Sequence, residues 1–251
     1  MNYLDKLFID IYDENIDPCD ENIDINDDYI YFNNEIVDLS NKNIEGILDL
    51  NKFTKLKILN CSNNRITEII NLSDTIKYIN CEKNNITELD SLTKLNNLQY
   101  LNCSYNYITN IENFKYLIEL SCKSNQIKEL TKLPQKLLKL YCSDNKIKRL
   151  DNLPESLKIL DCSSNYIKKL DLLPSDIEEL TCANNYIENL DLLPNNIKKI
   201  NCNNNFISFL DILPDNLEYL DCSDNLIEYL DNLPKSLQEL NCQYNKVKYK
   251  I

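Results

Sequence analysis

The chain has 251 residues and a formal net charge of −13, which excludes a general nucleic-acid binder because such acidity repels a polyanion. It contains one glycine, Gly46, and no histidine, which excludes a glycine-rich phosphate cradle and leaves a nucleophile without its commonest base. No apolar run approaches the ~18 residues of a membrane span, and the acidic N-terminus lacks the charge and apolar core of a secretory signal, so the expected location is cytoplasmic, in the chain's own cell or an infected host cell.

The acidity is local. Residues 1–50 hold 14 acidic side chains against two lysines, while the remaining 201 residues hold 26 acidic and 25 basic ones. Residues 2–12, NYLDKLFIDIY, place apolar pairs at helical spacing, which predicts an amphipathic helix. A stack of repeats needs its first apolar layer covered, so this helix is expected to be a cap rather than a partner-binding arm. An acidic loop with Pro18 and Cys19 follows, and Asn33-Asn34 is placed to turn residues 29–32 back against residues 35–39. The expected division is a capping segment, 1–33, and a repeat body, 34–251.

The body is periodic. Residues 37–44, VDLSNKNI, read as a degenerate first repeat with Lys42 in place of an asparagine, and residues 45–130 hold irregular repeats of 19 to 22 residues. From Leu133 the period is 20: LPESLKILDCSSNYIKKLDL at 153–172 recurs as LPSDIEELTCANNYIENLDL. A fixed period sets the architecture before any single residue does. Leu160 and Cys162 are two apart and so share one face of a short strand.

Three columns run through the repeats. Cysteine recurs at Cys61, Cys81, Cys103, Cys122, Cys142, Cys162, Cys182, Cys202, Cys222 and Cys242. Asparagine recurs at Asn64, Asn84, Asn106, Asn125, Asn145, Asn165, Asn185, Asn205, Asn225 and Asn245. Proline recurs at Pro134, Pro154, Pro174, Pro194, Pro214 and Pro234. The cysteine spacing tracks the repeat rather than a disulfide framework, which predicts reduced thiols packed as small hydrophobes. The asparagine side chain is placed to bond backbone groups left over at the turn. Proline fixes φ and removes a donor, which predicts an extended return segment.

The spacing L-x-x-L-x-C-x-x-N-x-I of residues 157–167 resembles the leucine-rich repeat, and the match recurs ten times. The later repeats resemble the short L-P-x-x-L-x-x-L class of secreted bacterial effectors and of proteins from giant DNA viruses of amoebae. Effector repeats usually carry proline where this chain has Asp171 and Asp191. The resemblance implies an α/β-type solenoid with one short parallel strand per repeat on its concave side. It also implies a largely extended or irregular convex side, with little helix beyond the N-terminal cap.

Chemistry is sparse in the pattern. Cys142-Ser143-Asp144 and Cys222-Ser223-Asp224 echo the Cys-x-Asp motif of effector ubiquitin ligases, but both cysteines occupy the inward position, where a thiolate is disfavoured. A single column of cysteines is not the paired C-x₂₋₄-C cluster of a zinc site. No catalytic residue, metal or cofactor is therefore expected. The function expected is protein–protein interaction, with regulation of an enzyme such as a phosphatase or ubiquitin ligase as the alternative. The stretch ITNIENFKYLIELSCKSNQI, residues 108–127, resembles repeats of phosphatase-regulating leucine-rich proteins and motivates that alternative.

Three surfaces are candidates for the partner. Ile58, Tyr78 and Tyr100 fall between inward residues of successive strands and are expected to form a solvent-facing row, a composition suited to protein recognition. Tyr166, Tyr186, Phe206 and Leu226 form a stripe beside the ladder asparagines. Lys146, Lys148, Arg149, Lys168 and Lys169 form a basic patch in the turns of two adjacent repeats, expected to be a solvated face, with a surface for an anionic partner, such as the chain's own acidic N-terminus, as the alternative.

Overall fold

The structure, a computed structural model, describes residues 30–33, 35–170, 172–210 and 212–248. The expected capping helix and Cys19 lie outside them. The chain divides into two compact units, the first ending at Ile108 and the second beginning at Thr109.

In the first unit, β1 (Ile30–Asn33) pairs antiparallel with β2 (Ile36–Asp38), with Tyr31 opposite Val37. From β2 onward every neighbour is parallel: β4 (Ile58–Asn60), β6 (Tyr78–Asn80) and β7 (Tyr100–Asn102) follow in order. A second, two-stranded sheet joins β3 (Glu45–Asp49) to β5 (Arg65–Ile70), and its register slips between Gly46 and Ile47. Gly46 sits at this slip with φ of +75°, a conformation that a side chain would strain. Sequence spacing gave no sign of this sheet. One helical turn, Asp90–Thr93, is the only helix among the described residues.

The second unit is more regular. Strands β8 (Glu119–Ser121), β9 (Lys139–Tyr141), β10 (Ile159–Asp161), β11 (Glu179–Thr181), β12 (Lys199–Asn201), β13 (Tyr219–Asp221) and β14 (Glu239–Asn241) pair in parallel and in sequence order. Each residue meets its equivalent one repeat on, as Leu160 meets Leu180. Identical register stacks like on like, and this builds the core. Leu157, Leu160, Cys162, Ile167 and Leu170 are all buried, as are their counterparts at 177, 180, 182, 187 and 190.

Two devices close each repeat. First, the ladder asparagine staples its own repeat to the preceding one. Asn165 donates from Nδ2 to the carbonyls of Cys142 (3.1 Å), Cys162 (3.1 Å) and Ser163 (3.0 Å), and its Oδ1 accepts the Ile147 N–H at 2.9 Å. Asn145, Asn185, Asn205 and Asn225 repeat these contacts, so backbone groups freed at the turn are satisfied without water. Second, the proline carbonyl accepts from the N–H three residues on, as in Leu157 N–H to Pro154 O at 3.0 Å and Leu137 N–H to Pro134 O at 3.1 Å. The segment expected to be extended is therefore bent into a turn beginning at proline. Its fixed φ orders the entry to the turn, and its missing N–H is not needed there.

The residue before each ladder asparagine adopts the left-handed conformation. Asn63, Lys83, Tyr105, Ser124, Asp144, Ser164, Asn184, Asn204, Asp224 and Tyr244 have φ between 50° and 56°. Glycine is the usual occupant of such a position. Here asparagine, aspartate and serine fill most of it, and short polar side chains tolerate it best after glycine.

Candidate functional site

The first candidate row is only partly a surface. Ile58 is 8% exposed and is a core residue, which corrects the expectation that it faces solvent. Ile36 and Tyr78 flank it in register on the two neighbouring strands, and strands spaced about 4.8 Å apart leave little of a central side chain open. Tyr78 and Tyr100 are half-buried and stack on each other, with ring centroids 4.4 Å apart and planes inclined by 9°.

In the second unit the same column is mostly charged, with Ile159 and Tyr219 as its two uncharged members. Glu119 is buried and meets Lys139 at 3.3 Å, and Glu179 meets Lys199 at 3.0 Å. Lys123 bridges to Asp161 at 2.8 Å and lies 5.0 Å from the centre of the Tyr141 ring. Burial, reinforced by Glu119, Glu179 and Asp161, pushes the Tyr141 hydroxyl up to about 12. The cations of this face, Lys123, Lys139 and Lys199, are thus each paired with a carboxylate of the face itself.

The turn face differs. Tyr166, Tyr186 and Phe206 are exposed and form one continuous stack, with centroids 6.1 and 5.9 Å apart. Leu226, the next in the column, is half-buried. A second exposed row was missed in the sequence: Leu172, Leu192 and Ile212 are 64, 67 and 67% exposed at one position of three successive repeats. The signal was present as the doubled apolar residue before Pro174, Pro194 and Pro214, where only the second is drawn toward the core. Phe209 adds a further exposed ring.

The basic patch and the aromatic stripe meet in one open groove of about 830 Å³. Tyr166, Tyr186, Leu150 and Leu172 supply its apolar lining, and Lys148, Arg149, Lys168 and Lys169 supply its cations. A smaller hollow of about 540 Å³ shares Lys148 and Tyr166 and adds Lys128 and Lys146. Helical reasoning has no part in this placement. The turn positions of consecutive repeats are brought side by side by the parallel register, so charges 20 residues apart become neighbours.

The cysteine column is an interior feature. Nine of its members are buried and Cys242 is half-exposed; all ten are free thiols. The expectation of ten equivalent inward positions is thus corrected at Cys242, which lies in the last repeat with no following strand among the described residues to cover it. Burial pushes the thiols of Cys81, Cys122, Cys182 and Cys222 from about 9 up to about 12. It also raises Cys61, Cys142, Cys162 and Cys202, with help from neighbouring cysteines. Cys142 and Cys222, the two that echo a ligase motif, are therefore held as neutral thiols, the unreactive form. Among the described residues no cluster of three or more metal-ligating side chains occurs, and no helix is long and apolar enough to cross a membrane.

Parallel three-residue strands, a buried cysteine ladder and an asparagine ladder together define a leucine-rich-repeat solenoid protein. Residues 74–116 match the family described as leucine rich repeats (2 copies), and residues 55–73 and 216–240 match leucine rich repeat. Among solved structures the chain is similar to YopM from Yersinia enterocolitica WA-314, at 29% identity and a TM-score of 0.66 over 80% of this chain and 49% of that one. It is also similar to YopM of Yersinia pestis, described as a leucine-rich effector protein, at 28% identity and a TM-score of 0.58 over 85% of this chain and 72% of that one. The functional domain of InlJ from Listeria monocytogenes, which includes a cysteine ladder, is 25% identical with a TM-score of 0.58, over 82% of this chain and 57% of that one. The chain thus spans about half the length of the first YopM and somewhat more of InlJ. No curated protein sequence matches it.

Proposed function

We propose that the chain is a non-catalytic protein-interaction scaffold that binds its partner through the turn face of its second unit. The observation that carries this reading is the pair of exposed apolar rows, Tyr166–Tyr186–Phe206 and Leu172–Leu192–Ile212, on consecutive repeats. An ordinary solvated surface scatters its apolar side chains singly, and a contiguous set marks an interaction site. The similarity to an effector leucine-rich protein supports the same reading. The column of free, buried thiols supports a reducing, cytosolic setting.

The test is photo-crosslinking in the cell that naturally makes the chain, with the reactive group placed at Tyr186 or, for comparison, at Tyr219 on the strand face. A defined protein adduct at Tyr186 is expected. One stoichiometric enzyme in that adduct would specify the role as regulation of a phosphatase or ubiquitin ligase. Adducts at Tyr219 alone would move the site to the strand face. Substrate turnover by the isolated chain would overturn the scaffold reading.

A further inference from the structure

We infer that the groove lined by Tyr166, Tyr186, Leu172, Lys148, Lys168 and Lys169 is a docking site for an acidic peptide segment carrying aromatic or branched aliphatic residues. This deepens the scaffold reading and rests on it. The argument is one of complementarity. The groove has an apolar lining with cations beside it. The one acid among its described lining residues, Asp151, is already bound to Arg149 at 2.8 Å. Lys148, Lys168 and Lys169 make no ion pair with any described residue, whereas Lys123, Lys139 and Lys199 on the strand face all do. The cations of the strand face are already engaged and those of the groove are not, so an incoming anionic segment gains more charge contacts in the groove than on the strand face.

The geometry narrows the ligand further. Equivalent rings on neighbouring repeats recur at 6.1 and 5.9 Å, close to the ~6.8 Å between alternate residues of an extended chain. An extended peptide crossing the repeats can therefore seat an apolar side chain on the aromatic row while neighbouring carboxylates reach the lysines. A single-stranded nucleic acid fits less well. Base stacking needs free ring faces, and the faces of Tyr166, Tyr186 and Phe206 are turned toward one another at 6.1 and 5.9 Å. What the row presents outward is ring edges, which suit aliphatic and aromatic side chains.

The experiment is selection of a displayed library of random peptides on the whole chain. It is followed by fluorescence anisotropy with the enriched peptides, with a synthetic peptide alternating Glu with Tyr and Leu, and with oligothymidylate. Enrichment of acidic peptides with aromatic or branched residues is expected. Their affinity should fall at least tenfold on Lys148→Glu with Lys168→Glu and Lys169→Glu, and at least tenfold on Tyr186→Ser. It should also fall as salt is raised, because the charges are exposed. Lys168→Gln with Lys169→Gln keeps the side-chain stems, and it should weaken binding at an unchanged melting temperature. Peptides that enrich but bind the charge-reversed chain equally well overturn the groove and leave the scaffold reading standing. Tighter binding of oligothymidylate than of any peptide, or no enrichment at all, also overturns the groove; joined to an absence of protein crosslinks at Tyr186 and Tyr219, it removes the scaffold reading too.

Discussion

Asn165→Ala isolates the device that joins one repeat to the next. Asn165 is 4% exposed and makes four hydrogen bonds, but these losses are unequal. The Cys142 carbonyl keeps a donor in Asn145 Nδ2 at 3.1 Å, and the Cys162 carbonyl keeps one in Asn185 Nδ2 at 3.0 Å. The Ser163 carbonyl keeps the Asp144 N–H at 2.9 Å. Only the Ile147 N–H, bonded to Asn165 Oδ1, is left with nothing. An orphaned buried donor costs about 1–3 kcal/mol, and each shared bond adds at the low end of about 0.5–1.5 kcal/mol. The expected total is about 2.5–4.5 kcal/mol. Asn245 makes the same contacts in the last repeat but is half-exposed, so water can replace its side chain and Asn245→Ala should cost about 1 kcal/mol or less. Urea unfolding of the two variants measures the difference. Hydrogen exchange locates it, since contacts in a solenoid are nearest-neighbour and the fastest-growing exchange should be at the Ile147 amide. Equal losses in the two variants, with Ile147 exchange unchanged, would refute the stapling argument.

Two further outcomes follow, one from the interior and one from the turn. The buried thiols carry raised values of about 12 against about 9 in the unfolded chain. Below pH about 9 both states are protonated and the thiols add no pH dependence; above it the unfolded chain releases protons that the folded chain retains, so stability falls until about pH 12 at up to ~1.4 kcal/mol per unit per thiol. Melting temperatures between pH 8 and 10.5 should drop, and Cys122→Ala with Cys182→Ala should flatten the slope while lowering the value at pH 8; an unaltered slope would show that the thiols are not responsible. At Ser164, whose φ is 51°, Ser164→Val should be less stable than Ser164→Gly by about 1–2 kcal/mol, because a branched side chain crowds the left-handed backbone. Denaturation midpoints in the opposite order would mean that this turn relaxes to another conformation.

The fold was legible because it is written in periodicity, and periodicity survives almost any choice of surface residue. Leu160, Cys162 and Asn165 each announce one inward position, and parallel stacking repeats that position identically. What was not legible depends on how far a side chain is covered, and a repeating pattern does not encode that. Ile58 occupies the same formal position as Lys139, yet one is core and the other carries an ion pair to Glu119. The second sheet was hidden for a related reason. It arises in the irregular early repeats, where Gly46 lets the backbone turn and β3 finds β5, and no column records it.

The candidate site was legible in fragments that the sequence could not join. The lysines of 146–169 and the rings at 166, 186 and 206 are visible in the linear chain as two unrelated features. Whether they form one surface depends on the direction in which the turn leaves the strand. That direction is fixed by the left-handed residue before each asparagine and by the bond from that asparagine to the preceding repeat. The same two constraints that hold the core together therefore aim Tyr166 and Tyr186 outward in line and bring Lys148 and Lys168 beside them. In this fold structural and functional positions alternate along a single turn. The stapling asparagine and the exposed ring are adjacent residues, Asn165 and Tyr166, and the rigidity of the first is what gives the second a fixed place to bind from.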